Sequence, residues 1–165
     1  MEFSADLFIR LGLAMLVGIV LGLNRWLHHK SAGIRTHSLV SVGAAVAMLL
    51  IDAMPGHDAQ AQSRVLQGLL TGIGFLGAGV IIHENNSKRI HGLTTAASLW
   101  ACVLLGATFG AGQYALGALG LGAILFVLIA GRIFERLTGA LFGVHGDSEV
   151  PNGHEADDEP GAKPR

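Results

Sequence analysis

The sequence predicts an all-α membrane protein of about five transmembrane helices, with the N-terminus outside and the C-terminus cytoplasmic. Three observations carry this expectation. From Gly92 to Gly131, forty consecutive residues include no Asp, Glu, Lys or Arg. About 20 apolar residues cross a bilayer as a helix, so this run suffices for two crossings around a turn at Gly110-Ala111-Gly112-Gln113. Hydrophobic residues make up 51% of the chain and charged residues 14%, both displaced from soluble norms towards the membrane. The basic residues also segregate: Arg25, Lys30, Arg35, Lys88, Arg89, Arg132 and Arg136 flank one set of helix ends, and Arg10 and Arg64 the other. The positive-inside rule makes the first set cytoplasmic.

The elements follow in order. The first span is expected over about residues 5–24; it begins without a basic n-region and ends at Asn24-Arg25 with no cleavage site, so it is expected to be retained. Further spans are expected over about 37–54, 65–82, 93–110 and 113–131. Helices satisfy backbone groups within the segment, as lipid demands. The run Leu119–Leu128 is apolar on every side, against the alternation of a β-barrel strand. Residues 1–136 form the expected transmembrane domain and 137–165 a polar tail, disordered from about 145. Residues 145–165 hold six of the twelve acidic residues, leaving residues 1–144 with a net charge of +3. The lone Cys102, inside an apolar run, points to neither a disulfide nor a zinc site.

Gly18 with Gly22, Gly68 with Gly72, and Gly106 with Gly110 are small-xxx-small pairs that allow close helix approach, within the chain or at a dimer seam. Gly72-Ile73-Gly74-Phe75-Leu76-Gly77 matches a dinucleotide fingerprint, but the preceding strand and the acidic residue about twenty positions on are missing. Gly68, Gly72, Gly74, Gly77 and Gly79 are instead expected to flatten the third helix for packing, or to break it beside a cavity. The Gly33-Ile34-Arg35-Thr36 and Gly92-Leu93-Thr94-Thr95 junctions echo one another, which suggests a repeat of helices 1–2 in helices 3–4.

Polar residues at membrane depth are costly and hence informative. The candidates are Asn24, Arg25, Asp52, Gln67, Thr71, Thr94, Thr95 and Ser98. Gln67 is expected to hydrogen-bond between helices or line a cavity, and Asp52 to reach the headgroups or pair with Arg10. Thr36 and Thr94 or Thr95 are expected N-caps. With the nearby basic residues, two helix N-termini would favour anions, lipid headgroups first. The histidines, His37 among them, show no metalloenzyme spacing. With no nucleophile triad and no Walker loop either, no enzyme, cofactor or nucleic-acid partner is expected.

Four blocks then resemble a known family. Gly22-Leu23-Asn24-Arg25, the run from Ala32 to Val40, the run from Gly72 to Gly79, and the run from Gly92 to Trp100 are similar, in order, to the MgtC/SapB membrane domain, over about residues 8–131. The resemblance implies a multi-pass bacterial inner-membrane protein tied to magnesium homeostasis and, in some pathogens, to growth under magnesium limitation inside host cells. It implies either magnesium transport or regulation of another membrane complex such as the F-type ATP synthase. Motif positions carry over onto Asn24, Arg25, Arg35, Thr36, His37, Gln67, Gly74, Gly77, Thr94, Thr95 and Trp100. Two departures stand out. Trp26 occupies a position that is usually acidic in the family, and the tail stands where longer members carry a cytoplasmic regulatory domain.

A magnesium site wants oxygen ligands, typically one or two carboxylates with retained waters. The expected spans offer Asp52 as the candidate metal ligand, with Glu84 at a loop edge. A homo-oligomer could ring Asp52 side chains as cation channels do. The lipid bilayer, a second copy and a membrane-protein partner are the expected contacts, and Mg²⁺ the transported or sensed ion.

Overall fold

In the computed structural model, residues 5–56, 58–83 and 90–142 are described. Five helices appear in order: α1 (Ala5–Trp26), α2 (Ile34–Asp52), α3 (Ala59–Val80), α4 (Leu93–Gly110) and α5 (Tyr114–Phe142). Four are long and apolar enough to cross a membrane: α1, α2, α4 and α5 over Tyr114–Phe134. α3 has the length but not the composition, because Gln60, Gln62, Ser63, Arg64, Gln67 and Thr71 interrupt it. Large apolar side chains face outward throughout, with Leu39 75%, Phe75 84% and Leu119 74% exposed. In water such a surface would aggregate; in a bilayer it is the solvated face. The chain is a helical membrane protein.

The boundaries differ from expectation where caps outweigh hydropathy. α3 starts at Ala59, six residues before the apolar run, because Asp58 Oδ1 accepts the Ala61 amide at 2.8 Å. α2 and α4 are preceded by Gly33 and Gly92, neither with a side-chain cap. Thr36 and Thr94 are exposed residues inside the first turns, and Thr95 is buried. Their expected N-cap role is therefore corrected to these glycines. At Gly92, φ is +90° and a Cβ would lie 2.0 Å from the Val80 carbonyl oxygen, so only glycine fits. That crossing lies beside a two-residue antiparallel pair, Ile82–His83 with Ile90–His91.

α1, α2 and α4 form the packed core. α2 runs between two glycine pairs. On one side an added Cβ at Gly18 would lie 2.3 Å from Ser38 Cα, and one at Gly22 2.5 Å from Ile34 Cα. On the other, Gly106 and Gly110 would meet the Ser41 carbonyl oxygen at 2.3 Å and Ala45 Cα at 2.6 Å. Backbone against backbone is the contact that small residues allow in lipid. α3 joins this core through Val65, Leu66, Leu69, Leu70 and Ile73.

Within the chain, Gly77 alone of the α3 glycines takes up the expected packing role. A Cβ added at Gly68, Gly72, Gly74 or Gly79 would have nothing within 4 Å, and one at Gly77 would touch Ala96. α3 packs through its branched side chains, and it is one continuous helix with no break. Between α2 and α3 lies an apolar groove of about 530 Å³ floored by Ala44, Ile73 and Val103. The two hairpins are thus built differently, one closed on glycine and the other on side chains.

The chain divides into one unit ending at Val127 and a second starting at Leu128. In the first, Gly117 and Gly120 of α5 face Phe109 and Leu105. In the second, helix continues to Phe142, with Thr138 Oγ1 donating to the Phe134 carbonyl at 2.8 Å. The expected tail boundary at 137 therefore falls inside α5. The acidic stretch from 145 and the segment from Glu84 to Arg89 lie outside the described residues.

Candidate functional site

The core buries a lane of polar groups where α1 ends and α2 and α4 begin. Arg25, in the last turn of α1, is 3% exposed, and its Nη2 donates to Thr95 Oγ1 at 2.6 Å. Ser98, one turn deeper in α4, has its Oγ 2.8 Å from the Thr95 carbonyl and 3.0 Å from His37 Nε2. The other imidazole nitrogen, Nδ1, is 3.0 Å from the Gly33 carbonyl. Cys102 Sγ donates to the His37 carbonyl at 3.2 Å. Arg25, His37, Thr95, Ser98, Ser41 and Cys102 are all buried. The signal is periodic: Thr95, Ser98 and Cys102 recur on one face of α4, and His37 and Ser41 on one face of α2.

The Gly33 carbonyl can only accept, so Nδ1 carries a proton. In the neutral imidazole Nε2 is then an acceptor, which the Ser98 hydroxyl can serve as donor.

The opposite end carries a second network. Arg10 Nη1 donates to Asp52 Oδ2 and to the Gly110 carbonyl, both at 3.0 Å, and Arg10 Nε lies 2.7 Å from Asp6 Oδ2. Asp52 Oδ1 accepts from Gln62 Nε2 at 3.0 Å, and Tyr114 donates its hydroxyl to Asp6. All five helices meet here through one guanidinium and two carboxylates. The expected pairing of Arg10 with Asp52 is present. Asp6 and Arg10 stand one turn apart, a spacing legible in the sequence; Gln62 and Tyr114 carried no such signal.

The other predicted positions disperse. Arg35, Thr36 and Thr94 are exposed beside the Arg25 end, and Asn24 is half-buried there, its carbonyl contacting His28 Nδ1. Trp100 is 48% exposed on the outer side of α4. Gln67 is exposed on α3 and makes no interhelical hydrogen bond among the described residues, because α3 packs through its opposite face. Asp52, the candidate metal ligand, has its carboxylate held by Arg10 and Gln62. Among the described residues no three His, Cys, Asp or Glu side chains converge as a metal site would require.

The chain is similar to Protein SrpB of Synechococcus elongatus, 41% identical over 78% of this chain and 74% of that one. It is 37% identical to YhiD of Escherichia coli (strain K12) over 82% of this chain and 63% of that one. It is 36% identical to Protein MgtC of Brucella abortus (strain 2308) over 78% of this chain, and spans about half, 51%, of that relative's length. No solved structure matches it. The model of the MgtC family matches residues 11–137, which include Arg25 and the polar lane and nearly the whole α1/α2/α4 core, and the chain belongs to that family.

Proposed function

We propose that this chain is a multi-pass protein of the bacterial inner membrane serving magnesium homeostasis, and that it acts as a regulator of another membrane complex and not as a magnesium conduit by itself. The magnesium link is supported by kinship. The name given to YhiD is that of a candidate magnesium transporter, and MgtC is a named family relative. The regulatory reading rests on one observation, the occupied state of the two carboxylates beside Arg10. Asp52 is committed to Arg10 and Gln62, and Asp6 to Arg10 and Tyr114. A hydrated Mg²⁺ wants free oxygen ligands, and the core lane presents it with a buried guanidinium. By the positive-inside rule the Arg25 end faces the cytoplasm, where a cytoplasmic or membrane partner would meet it; the F-type ATP synthase is the one the resemblance suggests.

Mg²⁺ flux into liposomes containing only this protein tests the reading. No flux above protein-free vesicles is expected. Saturable flux that Asp52→Asn abolishes would establish transport in its place.

A further inference from the structure

α3 departs from the arrangement that polar residues take in membranes. Its 22 residues extend roughly 33 Å, beside two spans. Val65, Leu66, Leu69 and Leu70 face the core. At about 100° per residue, Gln60, Ser63, Arg64, Gln67 and Thr71 fall within an arc of about 100° on the opposite side. All five are exposed. Thr71 returns its hydroxyl to the Gln67 carbonyl at 2.9 Å. The Gln67 amide reaches no other described residue. Measured from Gln62, which bonds Asp52 at the rim, Gln67 lies about 8 Å and Thr71 about 14 Å along the helix, within a bilayer core about 30 Å thick.

Hydrocarbon offers such an amide no partner, so polar side chains at this depth face protein or water. Gly74, within the same arc, has nothing within 4 Å, in contrast to the pairs on α1 and α4 that already press on α2. The stripe and this open glycine together define a face to which a second helix can come close and hydrogen-bond.

We propose that this face is the seam of a homodimer, the α3 of a second copy laid against the first across a two-fold axis. A second copy fits because the seam is self-complementary. A primary amide donates and accepts, so Gln67 opposite its own copy is satisfied reciprocally, as an isologous interface requires. Arg64 lies one turn nearer the rim, where its long side chain reaches water. The exposed Asp58 at the same end of α3 supplies the complementary charge. The seam leaves the core lane untouched, so this inference stands apart from the magnesium reading.

Single cysteines at Ser63, Gln67 and Thr71, and at Leu70 and Leu119 as off-stripe controls, test it by oxidative crosslinking of the full chain in membranes. The natural Cys102 is buried and remains as background. Disulfide-linked dimers at 63, 67 and 71, absent at 70 and 119, are expected. Gln67→Leu should weaken self-association in lipid nanodiscs about tenfold, with helicity by circular dichroism unchanged. Three results would each overturn the seam: no crosslink along the stripe, crosslinks at Leu119 alone, or rapid modification of Gln67→Cys by a membrane-impermeant thiol reagent, which would make the face water-lined.

Discussion

The α1/α2/α4 core and α3 carry the same two kinds of residue, glycines at four-residue spacing and polar side chains at membrane depth, and use them in opposite ways. In the core, Gly18, Gly22, Gly106 and Gly110 bring backbones together, and Arg25, His37, Thr95 and Ser98 bond one another. On α3, Gly68 and Gly72 face open space and the Gln67 amide reaches no described neighbour. A motif in a membrane helix thus states a capacity, and the helix's rotation decides whether the chain itself uses it. Rotation is set by the strongest apolar face. On α3 that face is Val65, Leu66, Leu69, Leu70 and Ile73, which turns the polar stripe away.

The sharpest break of this comparison is steric. Gly106→Val should cost more than about 3 kcal/mol or abolish folding, since its Cβ would enter the α2 backbone, while Gly72→Val should cost less than about 1 kcal/mol. Thermal unfolding in mild detergent, followed by fluorescence-detected size exclusion, measures both. Equal losses would show that the two pairs are not used differently.

A polar version comes next. Thr95→Val removes the buried acceptor of Arg25 and should cost about 2–3 kcal/mol, against about 0.5 kcal/mol or less for Gln67→Leu in a monomeric detergent preparation. The rim network should fall between them. Arg10→Met leaves Asp6 and Asp52 without their shared cation and is expected to cost about 1–2 kcal/mol, reduced because the side chain is 21% exposed. Asp52→Asn in the Arg10→Met background should recover part of that loss; no recovery would show that the pair contributes nothing. At the same rim, Gly112→Ala forces φ of +73° on a residue with a Cβ and should cost about 1 kcal/mol.

Two polar pairings show how far the chain could be read unaided. Arg10 and Asp52 were legible as partners, because both are charges near the same expected face of the membrane. Arg25 with Thr95, and His37 with Ser98, were legible only as members of motifs. Gln67, expected to bond between helices or line a cavity, makes no interhelical bond among the described residues, and the reason is physical: nothing in its apolar run tells which way the amide turns.

Hydropathy alone settles that the chain lies in lipid as helices. Apolar length, charge-free runs and the scarcity of backbone partners in hydrocarbon are properties of a segment and require no neighbour. Contacts between segments were decided only in three dimensions. The placement of α2 between two glycine pairs, the gathering of five helices around Arg10, and the outward turn of α3 depend on helix rotations. A rotation follows from the sum of many weak contacts across the whole bundle, which no single stretch of sequence contains.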